Sequence, residues 1–214
     1  MYAGKPIIGL AGGIGSGKSH VAALLREMGC RVIDSDAQVR AAYETEPVRR
    51  QLRNWWGEEA FTPDGRVDRR AIGRRVFSDA GDRERVERLI HPLVAADRGR
   101  EMAEAAADKM VLAFVWDTPL LFEKGLNREC DAVVFIESPW HVRLQRVADS
   151  RGWSDDELRR RENFQWPLDK KRSFSDYVLQ STADAEEFRS QVRQTLSRIL
   201  ANQHLSGTFD SGRT

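Results

Sequence analysis

Short apolar segments, separated by stretches with helical spacing, set the pattern of this chain. The five apolar segments are residues 7–11, 31–33, 110–116, 132–136 and 177–179. Between them apolar side chains recur every three or four residues, as at Val21, Leu24, Leu25 and Met28, which is the spacing of an amphipathic helix. Strands that alternate with helices predict an α/β protein with a five-stranded parallel sheet covered by helices on both faces.

The strand pattern stops between residues 43 and 109, where charged sequence with helical spacing replaces it. We interpret this stretch as a helical insertion. Pro92 interrupts the apolar stripe that contains Ile90 and Val94, and a proline inside a helix removes a hydrogen bond and clashes with the preceding turn. The pattern therefore predicts a helix that kinks or restarts at Pro92.

Charge and composition narrow the classes of partner. The chain has 34 Lys and Arg against 33 Asp and Glu, a net charge of +1, so no bulk field favours nucleic acid or a membrane surface. No apolar stretch approaches the ~20 residues of a membrane span, and the first strand begins too early for a signal peptide. Cys30 and Cys130 lack metal-ligand spacing and are expected to be buried thiols. We expect a cytoplasmic protein.

The segment Gly12-Gly13-Ile14-Gly15-Ser16-Gly17-Lys18-Ser19 fits the pattern G-x-x-x-x-G-K-[ST] without a mismatch. It stands between a predicted strand and a predicted helix, which is the context that a phosphate-binding loop requires. Its glycines let backbone N–H groups surround a polyphosphate, and the helix start adds further donors. Lys18 can reach the β- and γ-phosphates of ATP, and the Ser19 hydroxyl can ligate Mg²⁺. The alternative is a glycine turn that only joins strand to helix.

Aspartates follow two of the other predicted strands. Asp36 is our candidate for accepting the proton of a substrate hydroxyl, and Asp34, two residues earlier, would share its strand face. Helix capping is the alternative for both. Asp117 follows the long apolar run as an acid that binds Mg²⁺ would, with a turn residue as the alternative. Because ligands bind at the carboxyl ends of parallel strands, Gly12, Asp36 and Asp117 are expected to converge.

The segment from residue 143 to residue 172 is rich in arginine, whose planar guanidinium suits phosphate. A mobile segment that carries arginines over the γ-phosphate would exclude water during transfer. Acidic residues are interleaved, so we expect most of these arginines to be solvated or salt-bridged. Arg146 and Arg151 are expected to come just after the helix that leaves the fourth strand, and they are our candidates for function. The arginines concerned are Arg143, Arg146, Arg151, Arg159, Arg160, Arg161 and Arg172.

Taken in order, several short motifs resemble those of the dephospho-coenzyme A kinases almost from end to end. The phosphate loop by itself indicates only a nucleotide binder, whereas the aspartate pair, His91-Pro92 and residues 119–123 (PLLFE) are specific. The matching stretches are residues 9–19, 32–36, 67–69, 76–77, 91–92 and 119–123, then Gln145-Arg146 with Arg151, and residues 171–172 with 176–178.

This resemblance implies transfer of the γ-phosphate of ATP to the ribose 3′-hydroxyl of dephospho-coenzyme A, with Mg²⁺ as cofactor. It implies a P-loop NTPase-type core at residues 1–42, 110–145 and 173–204, a helical substrate-binding insertion at 43–109, and a lid at 146–172. Residues 205–214 are expected to be a disordered tail. We expect a monomer or weak homo-oligomer.

The resemblance also implies roles for individual residues. Asp36 matches the proposed catalytic base, assisted by Lys18, Arg146 and Arg151. The loop through His20 would bind ATP. Two departures stand out: His20 replaces the usual threonine, and Gln180-Ser181-Thr182-Ala183 replaces a turn that usually contains asparagine. The residues expected to contact the coenzyme A substrate are Asp34, Asp36, His91, Pro119, Leu120 and Leu121.

Other classes remain open at this point. A related P-loop kinase that acts on a nucleotide or nucleoside is the alternative. A guanine-nucleotide switch is disfavoured because the chain has no Asn/Thr-Lys-x-Asp motif. A nucleic-acid-binding ATPase is disfavoured by the balanced, interleaved charge.

Overall fold

The computed structural model describes residues 1–181 and 184–206. Its sheet has five strands in the order β2-β3-β1-β4-β5, and the pairs β1–β3, β1–β4 and β4–β5 are parallel. The predicted α/β class is therefore confirmed. The strands are β1 (Ile7–Gly12), β2 (Arg31–Asp34), β3 (Phe114–Asp117), β4 (Ala132–Glu137) and β5 (Tyr177–Gln180).

Helices connect the strands, as the alternation of patterns predicts. The α-helices are α1 (Lys18–Glu27), α2 (Ser35–Glu44), α3 (Glu46–Trp56), α4 (Arg69–Ser78), α5 (Ala80–Ala106), α6 (Trp140–Arg151), α7 (Asp155–Glu162), α8 (Leu168–Ser173) and α9 (Ala185–Ser206). The described residues also include two short 3₁₀ helices: Gly57–Ala60, between α3 and α4, and Leu126–Glu129, between β3 and β4.

The chain divides into two compact units, residues 34–103 and the remainder. In the larger unit, β1 is buried along its whole length. Side chains from one of its faces, such as Ile8 and Leu10, join a cluster with α1 and α9, whereas Ala11 joins Leu121 and Phe135 in a second cluster. Because both faces of β1 are covered, its continuous apolar sequence is explained. The sheet ends are thereby held rigidly for the loops that follow them.

The third strand is shorter than its apolar run predicts. It begins at Phe114, and Met110 and Leu112 before it are exposed. The N–H of Leu112 donates to the carbonyl of Gly29 at 2.9 Å, but the strand itself begins only at Phe114. Hydrophobicity alone does not distinguish a strand from an apolar connection, since a strand is defined by its backbone pairing.

Residues 34–103 have their own apolar core, built around Val48, Leu52 and Ile90. The predicted insertion, residues 43–109, begins and ends later than this unit. Helix α5 runs unbroken through Pro92, so the prediction of a restart there is wrong. Val86, Ile90 and Val94 are buried along one side of it, and this packing offsets the hydrogen bond that proline removes.

Other expectations concern the surface and the chain end. Cys30 is buried, as expected, and burial raises the pKa of its thiol to about 12. Cys130 is only half-buried, so the same expectation is wrong for Cys130. Among the described residues no helix has the length and apolar character to span a membrane. Helix α9 continues through Ser206, so the predicted tail does not begin at 205. Residues 207–214 lie outside the described residues.

Candidate active site

The phosphate loop runs from the carboxyl end of β1 into the first turn of α1. Gly12 pairs with Ile136 of β4 and has a φ of 148°. A Cβ at Gly12 would lie 2.6 Å from Ser16 Oγ and 2.8 Å from the carbonyl oxygen of Ile136, so only glycine fits. Gly17 begins α1 in a left-handed conformation, with a φ of 100°. The N–H of His20 donates to the carbonyl of Gly17 at 3.0 Å, whereas the N–H groups before it precede the helical hydrogen-bond pattern and can serve as donors for an anion.

Lys18 lies across the open loop. Its Nζ donates to the carbonyl oxygens of Gly12 and Gly13, each at 3.2 Å. Burial is the main cause that lowers the pKa of Lys18 to about 8; the Asp117 carboxylate opposes this and the Lys171 ammonium adds to it. The low pKa means that the loop holds an ammonium with less solvation than it has in water. A bound phosphate would supply the missing negative charge.

Ser19 and Asp117 meet beside the loop. The Ser19 hydroxyl donates to Asp117 Oδ2 at 3.3 Å, and Asp117 is the last residue of β3, the strand adjacent to β1. Hydroxyl and carboxylate oxygens are ligands that hard divalent cations prefer. Over residues 1–181 and 184–206, no group of three or more His, Cys, Asp or Glu side chains could hold a metal. A cation here would therefore need oxygens from phosphate and water as well.

Helix α6 lies against the loop and contributes two arginines to it. Arg146 donates to the carbonyls of Gly15 and Ser16 at 3.3 and 3.1 Å, and to Ser181 Oγ at 3.1 Å. Arg143 is buried and donates to the carbonyl of Ile14 at 3.2 Å. A Cβ at Gly15 would lie 2.8 Å from the backbone oxygen of Arg143. Gly15 therefore allows α6 to pack closely against the loop, in addition to the role of the loop glycines in ligand binding.

The exposed arginines of α7 are engaged elsewhere. Arg159 pairs with Asp155, and Arg161 pairs with Glu157 within the same helix. Such exposed pairs contribute little to stability. Their arrangement fits our expectation that most arginines in this segment are salt-bridged.

A cavity of about 280 Å³ opens beside Gly13 at the carboxyl end of β4. Its wall includes Arg143 from α6 and Arg172 from α8. Arg172 Nε lies 3.2 Å from Glu137 Oε1. The cavity leaves room for ligand groups next to the phosphate loop, under two guanidinium groups.

Comparison with known proteins decides the family. A family model described as CoaE, dephospho-CoA kinase, matches residues 6–187. The dephospho-CoA kinase of Anaeromyxobacter dehalogenans is 40% identical over 194 residues, 90% of this chain and 92% of that protein. This chain belongs to the dephospho-CoA kinase family. The dephospho-CoA kinase of Thermobifida fusca is 33% identical to this chain, over 92% of this chain and 98% of that protein.

Solved structures agree with this kinase fold. The crystal structure of TT1252 from Thermus thermophilus has a TM-score of 0.79 and 34% identity, and covers 92% of this chain and 97% of its own. The dephospho-CoA kinase from Campylobacter jejuni has a TM-score of 0.68 at 19% identity, with 94% and 99% covered. At that identity the second likeness shows the fold alone.

The structure separates the two arginines that the sequence favoured in this kinase. Both lie within α6 rather than after it. Arg146 lies on the phosphate loop, whereas the guanidinium of Arg151 lies 4.8 Å from the ring centroid of Trp153. Arg151 still lowers the pKa of Lys18 through its charge. Its predicted role at the transferred phosphate stays a prediction.

The expectation that Asp34 and Asp36 share a strand face is wrong. Strand β2 ends at Asp34, and Asp36 lies in the first turn of α2. Asp34 Oδ1 accepts from the N–H of Ala37 at 2.9 Å, so Asp34 caps the helix, which was the alternative. Its predicted contact with substrate has no support from this geometry. Asp36 is exposed.

The residues predicted to contact the coenzyme A substrate differ in exposure. Leu121 is 2% exposed and packs with Ala11 and Phe122, so its side chain belongs to the core of the larger unit. Pro119 and His91 are exposed, and Leu120 is half-buried. Their roles stay predictions.

His20, the departure beside the loop, stacks on Phe188 of α9. The ring centroids lie 5.8 Å apart and the planes differ by 12°. The His20 side chain is thus occupied in packing against α9. Of the second departure, Gln180 and Ser181 are described, whereas Thr182 and Ala183 lie outside the described residues.

Sequence reasoning missed the part that Arg143 and Glu162 have in the loop. Glu162 Oε1 accepts from the N–H of Ile14 at 3.0 Å, across 148 positions of sequence. One signal was available: Arg143 and Arg146 are three residues apart, so they share a helix face. Nothing comparable indicated Glu162, which is one of several acids in its segment.

Because burial lowers the pKa of Lys18 to about 8, nucleotide affinity is expected to fall as the pH rises through that value. Only the ammonium attracts phosphate, so the affinity for ADP should be about tenfold weaker at pH 9 than at pH 7. Isothermal titration at fixed free Mg²⁺ concentration measures this. Lys18→Arg is the control, because a guanidinium keeps its charge throughout and should give a flat profile. Wild-type affinity that stays constant to pH 9 contradicts the prediction.

Proposed function

We propose that this chain transfers the γ-phosphate of ATP to the ribose 3′-hydroxyl of dephospho-coenzyme A. One observation carries the proposal: Lys18 lies desolvated across a glycine loop at the carboxyl end of β1, in a chain of the dephospho-CoA kinase family. Phosphoryl transfer needs positioning and charge stabilisation more than covalent chemistry from the protein. The loop provides both.

In this proposal Lys18 and Arg146 stabilise the charge of the phosphates. Lys18 sits where its ammonium can leave the carbonyls of Gly12 and Gly13 for phosphate oxygens. Arg146 holds the carbonyls of Gly15 and Ser16 and so keeps the loop in shape. Donors arranged before the reaction need no reorganisation when charge develops.

Ser19 and Asp117 fit a Mg²⁺ site. Their oxygens already lie together, 3.3 Å apart, and Mg²⁺ usually takes one or two protein oxygens and completes its shell with water and phosphate. Mg²⁺ held here would neutralise charge on the β- and γ-phosphates. Ser19 and Asp117 would hold the ion through their hydroxyl and carboxylate oxygens.

Asp36 is proposed to receive the proton of the attacking 3′-hydroxyl. It follows β2 by two residues, in the first turn of α2, and its sequence position matches that of the base proposed for the family, which supports this role. Its exposed carboxylate leaves oxygens for a substrate hydroxyl. The unit of residues 34–103 is proposed to bind the acceptor, and residues 146–172 are proposed to act as a lid.

An acceptor panel with labelled ATP tests the proposal. Dephospho-coenzyme A is expected to take the label on its ribose 3′-hydroxyl, with turnover at least about 100-fold above that of any nucleoside or nucleoside monophosphate. Product position is read by phosphorus NMR. A nucleoside monophosphate as the preferred acceptor would replace the proposal by the related nucleotide kinase. Labelled inorganic phosphate as the only product would replace it by an ATPase.

A further inference from the structure

A buried ion pair joins the phosphate loop to the segment proposed as the lid. Arg143 of α6 and Glu162 at the end of α7 form this pair, and their side chains are only 5% and 16% exposed. Arg143 Nε also donates to the carbonyl of Ser138 at 3.2 Å, just after β4. The pair is therefore anchored to the sheet end, and both charges are compensated.

Together the pair holds both backbone polar groups of Ile14. The carboxylate of Glu162 accepts from the Ile14 N–H at 3.0 Å, and Arg143 Nη1 donates to the Ile14 carbonyl at 3.2 Å. These two groups belong to different peptide units, Gly13–Ile14 and Ile14–Gly15. Both planes on either side of Ile14 are thereby fixed.

Peptide geometry carries this constraint into the loop. In a trans peptide the N–H and the C=O point in opposite directions. Because Glu162 binds the N–H of the Gly13–Ile14 unit, the carbonyl of that unit points the other way, and there it accepts from Lys18 Nζ and from the N–H of Ser16, both at 3.2 Å. By the same reasoning Arg143 turns the N–H of Gly15 away from itself. Glu162 thus lies on the opposite edge of the peptide from Lys18.

Gly13 is what lets the pair come so close. A Cβ at this position would lie 2.5 Å from Arg143 Nη1 and 2.8 Å from Glu162 Oε1. Contacts this short do not occur for real Cβ atoms, so any side chain would push the pair off the loop. The glycine has a function here beyond making room for phosphate.

We propose that Arg143 and Glu162 are positioning residues that hold the Gly13–Ile14–Gly15 backbone in the form that binds nucleotide. The inference rests on the proposed function in that the loop binds nucleotide, and it adds how α6 and α7 keep the loop ready. Loss of the Glu162 charge weakens the acceptor for the Ile14 N–H and leaves Arg143 without its ionic partner. Nucleotide binding weakens, while acceptor binding does not change.

The test uses Glu162→Gln and the double variant Arg143→Met/Glu162→Met, with Glu157→Gln as the matched control. Glu157 lies on the same helix and pairs with Arg160 and Arg161. Calorimetry with ADP alone measures nucleotide affinity, and thermal unfolding measures stability. Removing both buried charges together is expected to restore much of the melting temperature that the single variant loses, because no charge is left unpaired.

Glu162→Gln is expected to bind ADP about tenfold more weakly, as the loss of a charge-assisted contact does, with KM for dephospho-coenzyme A within about twofold at saturating ATP. The double variant is expected to keep an ADP affinity about tenfold below that of wild type although it regains stability, and Glu157→Gln is expected to match wild type.

Unchanged ADP affinity in Glu162→Gln overturns the inference. Tighter ADP binding in that variant also overturns it, because it would mean that the carboxylate competes with phosphate. Recovery of both affinity and melting temperature in the double variant would reduce the pair to a structural one. Wild type that binds no ADP would instead reject the proposed function.

Discussion

Lys18→Ala is expected to lower kcat/KM for ATP by about 10²–10³-fold. Removing one preorganised charge donor from a transferring group costs about 3–4 kcal/mol of transition-state stabilisation. Arg146 lies at a different part of the loop, where it contacts the carbonyls of Gly15 and Ser16 rather than those that Lys18 contacts. Steady-state kinetics with dephospho-coenzyme A at saturation measure the effect.

Lys18→Ala is expected to lose activity without a loss of thermal stability. The pKa of Lys18 is lowered to about 8 from 10.5, so folding disfavours the ammonium at neutral pH, and its removal relieves that cost. The melting temperature is expected to stay within about 3 °C of wild type or to rise. Lys109→Ala, at an exposed position, is the control and should retain full activity. Activity within a few-fold of wild type in Lys18→Ala would remove Lys18 from the mechanism.

Asp36→Asn is expected to lower kcat by about 10²–10⁴-fold, the usual contribution of a general base. Asparagine keeps the shape of the side chain and can still contact a hydroxyl, but it cannot accept the proton. ATP affinity should change little, because the loop that binds the phosphates is intact. Presteady-state turnover and ADP titration on the same preparation separate the two quantities.

Glu44→Gln provides the control on the same helix. Glu44 is the last residue of α2 and pairs with Arg49 at 3.0 Å, so it loses a charge without touching the proposed base. Its turnover is expected within about twofold of wild type. Asp36→Asn with normal turnover would exclude Asp36 as base, whereas a matching loss of kcat in Glu44→Gln would point to a general effect of charge on the unit of residues 34–103.

Much of the core could be predicted from sequence because its signals are local. The strand–loop–helix around Lys18 follows from an apolar run, a glycine pattern and an amphipathic stripe, all within a few turns of chain. The rule that ligands gather at the carboxyl ends of parallel strands predicts that Asp117 lies near the loop that begins at Gly12, and the 3.3 Å contact between Asp117 and the loop residue Ser19 agrees with it.

Predictions failed where two local patterns compete. The sequence around Asp34 is compatible with a strand residue that faces a site and also with a helix N-cap. The hydrogen bond from the Ala37 N–H to the Asp34 carboxylate shows that Asp34 is the N-cap. Pro92 is typical of a kink or a restart, but α5 continues through it without a restart, with three apolar residues buried along one side. At Pro92 the outcome depends on packing partners, which a propensity does not contain.

The order of strands and helices, the phosphate loop and the family could all be predicted from the sequence. Which charged side chains hold that loop depends on the packing of the folded chain. Arg143 and Glu162 contact Ile14 from 129 and 148 positions away in sequence. The two helices that carry them contain other arginines and acids of the same charge, which the sequence does not distinguish from this pair. Composition treats all of these residues alike, whereas the folded chain buries one pair and leaves the rest in water. Because the energy of a charge depends on that burial and on its partner, the selection could be made only by the fold.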